Sequence, residues 1–157
     1  MTTHSETLAT KLEQTISDLL AAVEASTPEQ WAGRCSDGEW TQGFAAFHAA
    51  AAIGEITKTV KGLADGEQFP KWSMEAIDAG NAGQAKEHAG CTRVETIDLI
   101  RKSAPAATSM VRSLSDAQLD RKVQLLESMP EMTVEALIQM ALVGHAAYHL
   151  QTITGVR

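Results

Sequence analysis

Two histidines near the end of the chain, His145 and His149, have a spacing suited to chemistry. Four residues apart on an α-helix, their side chains lie about 40° apart around the axis and about 6 Å apart along it, so both imidazoles can reach one point. Their neighbours are apolar: Leu142, Val143, Ala146 and Leu150. Burying two groups that ionise near neutral pH among such residues is unfavourable unless something pairs with them. A metal ion would do so, and the alternative is a pair of hydrogen-bonded core histidines.

A third histidine, His48, repeats this situation in another segment. Its neighbours are Phe44, Phe47, Ala51 and Ala52. Together with His145 and His149 it could supply three ligands from two helices to one divalent cation. Three neutral imidazoles leave the charge of the ion in place and at least one coordination position open, which is typical of catalytic metal sites. Water or the thiol of a substrate would occupy that position.

Two further side chains are candidates for catalytic roles beside these histidines. Glu55 follows His48 by seven residues and lies nearly on the same helical face. It could be a further ligand, an acceptor for an imidazole N–H, a general base or a solvated glutamate. Tyr148 is a candidate proton donor, although it points about 100° away from His149 around the helix.

The other chemically interesting residues have simpler interpretations. Packing roles are expected for Trp31, Trp40 and Trp72, and surface positions for His4 and His88. The two cysteines, Cys35 and Cys91, form no CxxC pair and are expected to be free thiols. Cys91 has only Arg93 as a basic neighbour, which does not favour a nucleophile.

Four long helices must position these side chains. They are predicted over residues 7–25, 42–64, 92–114 and 134–153, where apolar residues recur at intervals of three and four. Thr41 and Thr133 can cap the second and the fourth helix, and Thr92 with Glu95 has the spacing of a capping box at the start of the third. Pro105 is expected to kink the third helix.

A shorter helical segment over residues 74–90 follows Ser73 and contains Gly80 and Gly83, so it is interpreted as a crossover between the second and third long helices. The composition agrees with this organisation, because 44% of the residues are hydrophobic and only 4% are aromatic. Alanine, leucine, valine and isoleucine carry the apolar content, which favours close-packed helices. The sequence therefore predicts an all-α four-helix bundle that forms a single domain over residues 1–157.

The charge and hydropathy of the chain exclude several classes of partner. The formal net charge is -7, and Lys58 and Lys61 are the nearest approach to a basic cluster, so no nucleic-acid partner is expected. The uncharged residues 136–156 include glutamines and histidines, which indicates a buried helix and no membrane span. The first residues lack the basic start and the apolar core of a secretion signal, so a cytoplasmic location is expected.

Three segments of the chain resemble the DinB-like superfamily. EWTQGFAAFHAAAAIGEI resembles the tryptophan-then-histidine opening of the second helix in that superfamily, and AIDAGNAGQAKEHAGCTRVETIDLI resembles its crossover. GHAAYHLQTI is similar to its C-terminal HxxxH segment. The resemblance covers nearly the whole chain, and the order and spacing of the segments are more specific than any single motif.

This resemblance implies an up-down-down-up four-helix bundle, frequent homodimers, and a divalent metal, typically zinc or nickel, held by His48, His145 and His149. It also implies relatives such as thiol-dependent transferases and mycothiol-dependent maleylpyruvate isomerase. The first hypothesis is therefore an S-transferase or isomerase that activates a low-molecular-weight thiol, such as mycothiol, against a small-molecule substrate. A metal-dependent hydrolase would need the same three histidines. The third hypothesis is a non-catalytic bundle that binds a ligand or dimerises.

Overall fold

In the computed structural model, which describes residues 2–155, the chain is mostly helical. Its elements in chain order are α1 (His4–Ala25), α2 (Pro28–Ala32), α3 (Gln42–Asp65), α4 (Met74–Glu87), α5 (Arg93–Arg112), α6 (Asp116–Leu119), β1 (Lys122–Val123), β2 (Met132–Thr133), α7 (Val134–Leu137), a π-helical segment (Ile138–Gly144) and α8 (His145–Thr154). The strands β1 and β2 pair antiparallel in the connection before α7. The predicted all-α class is confirmed.

Threonine side chains cap the starts of the long helices. Thr41, Thr92 and Thr133 each accept a hydrogen bond from the backbone N–H three residues later, at the predicted starts. The first helix begins three residues earlier than predicted, at His4. The reason is that Thr3 provides its cap by accepting a hydrogen bond from the N–H of Glu6.

The four long elements form a ring in which α1 packs on α5, α5 on α3, α3 on α8, and α8 on α1. Contacts at their ends give the directions. Arg112 at the end of α5 pairs with Glu6 at the start of α1, so these two helices are antiparallel. Gln118, shortly after α5, donates to Asp65 at the end of α3, so α3 and α5 are parallel.

The remaining direction comes from a backbone hydrogen bond near the start of α3. The N–H of Ser36 donates to the carbonyl of Thr152 near the end of α8, so α3 and α8 are antiparallel. The order is therefore up-down-down-up, as the resemblance to the DinB-like superfamily implies. Because α3 and α5 run the same way, the chain must return along the bundle between them, and α4 makes this return.

The core fills the space inside the ring, whereas α4 lies outside it. Among the largest fully buried side chains are Leu12, Ile16, Leu19, Ile53, Ile100, Leu137, Ile138 and Leu142. None of the residues described for α4 is buried. The helix α5 includes Pro105 in its interior, and the kink expected there stays a prediction.

The fourth long helix differs from the predicted regular α-helix. A π-helical segment separates α7 from α8 and ends directly before His145. A π-turn holds more residues than an α-turn, so it changes the direction in which the following helix presents its side chains. The segment keeps Ile138 and Leu142 buried while α8 still brings His149 into the core. Within residues 2–155, no helix has the length and apolarity needed to cross a membrane.

Candidate metal centre

Three imidazoles meet between α3 and α8. His48, near the start of α3, is 8% exposed, His149 is 5% exposed, and His145 is partly buried. The Nε2 atom of His145 lies 3.2 Å from Nε2 of His48 and 3.2 Å from Nε2 of His149. The ligand atoms offered by the three residues all lie within 4.8 Å of one another. The structure thus brings together the three histidines predicted from the sequence, and the cluster could hold a divalent metal.

A glutamine of the crossover helix orients His48. Nδ1 of His48 lies 2.7 Å from Oε1 of Gln84 in α4. An amide oxygen only accepts hydrogen bonds, so Nδ1 carries the ring proton and donates it. Nε2 of His48 is therefore unprotonated, and its lone pair is free for a ligand. The sequence analysis missed Gln84, because no local pattern relates this residue to a histidine 36 positions earlier.

Hydrogen bonds between the rings do not satisfy the cluster. Because Nε2 of His48 is an acceptor, its short contact with His145 requires the proton on Nε2 of His145. That nitrogen then has no lone pair with which to accept a second hydrogen bond from Nε2 of His149. Nδ1 of His149 is buried and has no hydrogen-bond partner among the described residues. A cation bound by three Nε2 lone pairs would replace both short contacts, so the donor set fits a metal.

Burial keeps the three imidazoles neutral. Desolvation, with a further effect of the neighbouring histidines, lowers the pKa of His145 to about 4 and that of His149 to about 3. Desolvation also lowers the pKa of His48, and the hydrogen bond to Gln84 opposes this change. Because only a neutral imidazole has a lone pair to offer, the cluster has the protonation state of a ligand set at neutral pH.

Trp40 covers one side of the cluster. Its ring stacks on His149 with a centroid distance of 5.9 Å and an interplanar angle of 9°. It also lies 5.0 Å from the ring of His48 and contacts Phe44 edge-on. Trp40 therefore packs as predicted, and the groups on which it packs are the candidate ligands.

Two cavities meet at the cluster and share His48, Asn81, His145 and Tyr148 in their walls. The polar cavity, of about 540 Å³, is also lined by Cys35, Asp37, Glu39 and Asp78. The apolar cavity, of about 610 Å³, is also lined by Ile56, Trp72, Ile77, Leu125, Leu126 and Met140. Both volumes lie within the range of ~300–1,000 Å³ typical of small-molecule sites. The histidines thus lie where a polar and an apolar compartment join.

The two catalytic candidates lie beside the cavities and outside the histidine cluster. Tyr148 is 52% exposed, and its hydroxyl donates to Oδ2 of Asp37 at 3.1 Å. This hydrogen bond raises the pKa of Tyr148, so the phenol stays protonated at neutral pH. Glu55 lines the apolar cavity but is largely exposed, and its Oε1 lies 3.7 Å from Nζ of Lys58. This position agrees better with a solvated glutamate than with a ligand, and the catalytic roles of both residues stay predictions.

The structure confirms some of the expectations for the other histidines and the two cysteines and corrects others. His4 is exposed as expected, whereas His88 is partly buried because its ring packs on Phe47 with a centroid distance of 4.4 Å. Both cysteines are free, and burial raises their pKa values. Cys35 is buried and lines the polar cavity, which the sequence did not indicate. A buried thiol with a raised pKa is largely protonated at neutral pH, which does not favour a nucleophile.

Comparison with known proteins gives one family match. The model of the family described as the DinB superfamily matches residues 11–153, which include α3, α4, α5 and all of α8 except its last residue. Neither the curated proteins nor the solved structures show a significant match. The family match therefore covers all three histidines and Gln84.

Proposed function

Because the chain belongs to the DinB superfamily, we propose that it is a metal-dependent enzyme, a thiol-dependent S-transferase or isomerase. In this proposal His48, His145 and His149 hold one divalent cation, zinc or nickel, through their Nε2 atoms. The observation that carries the proposal is the convergence of these three ring nitrogens within 4.8 Å where two cavities join. Three protein ligands with an adjoining cavity are typical of a catalytic site.

When bound, such a cation lowers the pKa of a thiol and so keeps the nucleophilic thiolate available at neutral pH. The residues of the chain prepare the site for this chemistry. Gln84 keeps the proton of His48 on Nδ1, and Trp40 shields one side of the cluster from water. The neutral imidazoles do not compensate the charge of the ion, which is then available to stabilise a thiolate.

The polar cavity suits the body of a low-molecular-weight thiol rich in hydroxyl groups. Three carboxylates, from Asp37, Glu39 and Asp78, line it, and among the described residues no lysine or arginine does. Carboxylates accept hydrogen bonds from hydroxyl groups and repel phosphates. A polyhydroxylated thiol such as mycothiol is therefore favoured over a thiol that carries several phosphates. We assign the role of proton donor to Tyr148, whose phenol stays protonated and lines both cavities.

The function is tested with zinc- or nickel-loaded protein, a low-molecular-weight thiol and an electrophilic aryl halide. We expect conjugation that requires both the metal and the thiol: a carbon–sulfur bond forms, halide leaves with the bonding electron pair, and the thiol proton passes to the buffer. Hydrolysis of esters or amides without a thiol would instead identify a metal-dependent hydrolase. Protein that binds metal but catalyses neither reaction would support the non-catalytic alternative.

Replacing Gln84 by leucine is expected to weaken zinc binding about 10- to 100-fold, since partners of ligating histidines commonly contribute that much. The substitution removes the acceptor of His48 Nδ1–H, so the ring loses both its fixed proton and its fixed orientation. Competition with a chelator at pH 7 measures the affinity. The matched control is Gln151→Leu, which changes an exposed glutamine on α8. Equal affinities of the two variants would show that Gln84 does not support the site.

The expected homodimer and the expected cytoplasmic location stay predictions. A small-molecule substrate is likewise part of this proposal. Metal analysis of protein purified without a histidine tag would distinguish zinc from nickel.

A further inference from the structure

The apolar cavity lies between the crossover helix α4 and the bundle. Ile77 comes from α4, Ile56 from α3 and Met140 from the π-helical segment, while Trp72 and Leu125 come from the connections. We propose that this cavity binds a medium-length alkyl or acyl chain whose uncharged polar head faces His48 and His145. The chain would be the apolar part of the electrophilic substrate.

Small residues create the room in this cavity. Its walls include the small residues Ala51, Ala52, Gly80, Ala141 and Gly144. Gly80 lines the cavity, and a Cβ atom built there would meet no other atom within 4 Å, so a larger side chain could be accommodated at this position. Glycine in the interior of a helix destabilises it relative to alanine. Apolar cavities of this kind bind apolar molecules.

The polar groups of the apolar cavity indicate the orientation in which an alkyl chain would bind there. His48, Asn81 and His145 also line the polar cavity, so they mark the junction between the two compartments. The surface away from this junction is mainly aliphatic, which suits the body of the chain. The polar head is therefore expected at the junction, beside the histidines.

In the metal-free protein, the side-chain charges around the cavities favour an uncharged head. Among the described residues no lysine or arginine lines either cavity, so no side-chain cation could pair with a carboxylate or a phosphate. Glu55 lines the apolar cavity, and Asp37, Glu39 and Asp78 line the neighbouring one. These carboxylates would repel an anionic head. A hydroxyl, ester or thioester group is consistent with all of these contacts.

This inference deepens the proposed function. It rests on that function only in so far as the bound alkyl chain is taken to be part of a substrate. Binding of an alkyl chain needs no metal. The test is therefore made on metal-free full-length protein, which is titrated with straight-chain alcohols from butan-1-ol to decan-1-ol. Calorimetry measures the affinity, and tryptophan fluorescence, to which Trp72 in the cavity wall contributes, provides a second readout.

We expect the affinity to rise roughly 4-fold with each added methylene until the cavity is full, and then to level off. Gly80→Leu should weaken the binding of octan-1-ol at least about 10-fold, the equivalent of losing about two buried methylenes. Gly83→Leu is the matched control. Both glycines are exposed in α4 and have open space at a built Cβ, but only Gly80 lines the cavity. Both substitutions should stabilise α4 similarly.

The inference is overturned if no alcohol binds, if affinity does not depend on chain length, or if the two leucine variants lose affinity equally. Octanoate should bind more weakly than octan-1-ol to the metal-free protein, and equal binding would refute the uncharged head. Zinc titration of the same protein tests the proposed metal centre separately. Alcohol binding without zinc binding would reject the metal proposal alone, and zinc binding without alcohol binding would reject the cavity proposal alone.

Discussion

His145→Ala is expected to reduce the affinity of the protein for zinc about 100- to 1,000-fold. Nε2 of His145 is the central donor atom, because it lies 3.2 Å from Nε2 of both His48 and His149. Binding free energies of zinc at four-ligand structural sites are about 10–16 kcal/mol, or roughly 2.5–4 kcal/mol for each ligand. Since every 1.4 kcal/mol corresponds to a factor of ten, one lost ligand accounts for the expected effect. Metal content and chelator competition at pH 7, on protein without a histidine tag, measure it.

The control for this experiment is His4→Ala. It also removes one imidazole, but an exposed one outside the cluster. This variant should bind zinc like the unchanged protein, whereas alanine at all three cluster positions should abolish stoichiometric binding. If His145→Ala and His4→Ala bind zinc equally well, or if the unchanged protein binds neither zinc nor nickel, the three histidines are hydrogen-bonded core residues and the catalytic proposal is wrong.

Acidification is expected to destabilise the metal-free protein as the pH falls below about 6.5. Burial lowers the pKa of His145 to about 4 and that of His149 to about 3, whereas the same groups in the unfolded chain titrate near 6.5. Between these values the unfolded state takes up protons and the folded state does not. The contribution of the neutral imidazoles to the free energy of unfolding is therefore fully present above pH 6.5 and is lost as the pH falls. For His145 alone the loss across the window is about 3 kcal/mol, at about 1.36 kcal/mol per pKa unit.

Urea unfolding of metal-free protein at several pH values between 7 and 4 measures this loss as a fall in the free energy of unfolding. His145→Leu should show a shallower dependence on pH, because it removes one of the buried titrating groups. His4→Ala should keep the original dependence. Identical pH profiles of the unchanged protein and His145→Leu would contradict the assignment of acid sensitivity to the cluster.

Protons should also displace the metal, since each imidazole must be neutral to coordinate. Acid therefore both destabilises the fold and protonates the ligands, and the metal-loaded protein is expected to release its ion as the pH falls towards the lowered pKa values of His145 and His149, about 4 and about 3. Dialysis at stepped pH followed by metal analysis measures the release. Metal that stays bound well below the lowered pKa values of His145 and His149 would indicate ligands other than histidine.

Some residues of the candidate metal centre could be identified from the sequence, and others could not. His145 and His149 were identifiable because their four-residue interval has a direct meaning on a helix. His48 was identifiable as a titratable group in an apolar run. Gln84 was not, because a glutamine in a segment with weak apolar periodicity has no local signature, and its contact with His48 exists only when α4 lies against α3.

The fold shows the same division. The sequence predicted the starts of three long helices correctly because a cap depends on residues within one turn. It missed the cap at Thr3, which placed the start of α1 too late, and it missed the strands β1 and β2 and the π-helical segment before His145. A π-turn and a two-residue strand carry little local signal, and the packing around them decides whether they form.

The amino-acid sequence by itself determined the helical class, the positions of the four long helices along the chain and the three histidines available to a metal. These features follow from periodicity, capping and composition, which act over a few residues. Only the tertiary structure decided that ring nitrogens of three histidines from α3 and α8 meet within 4.8 Å, that Gln84 orients one of these histidines, and that a cavity with several carboxylates and a more apolar cavity join there. Such features depend on segments that are far apart in the chain and are brought into contact only by packing around a common core.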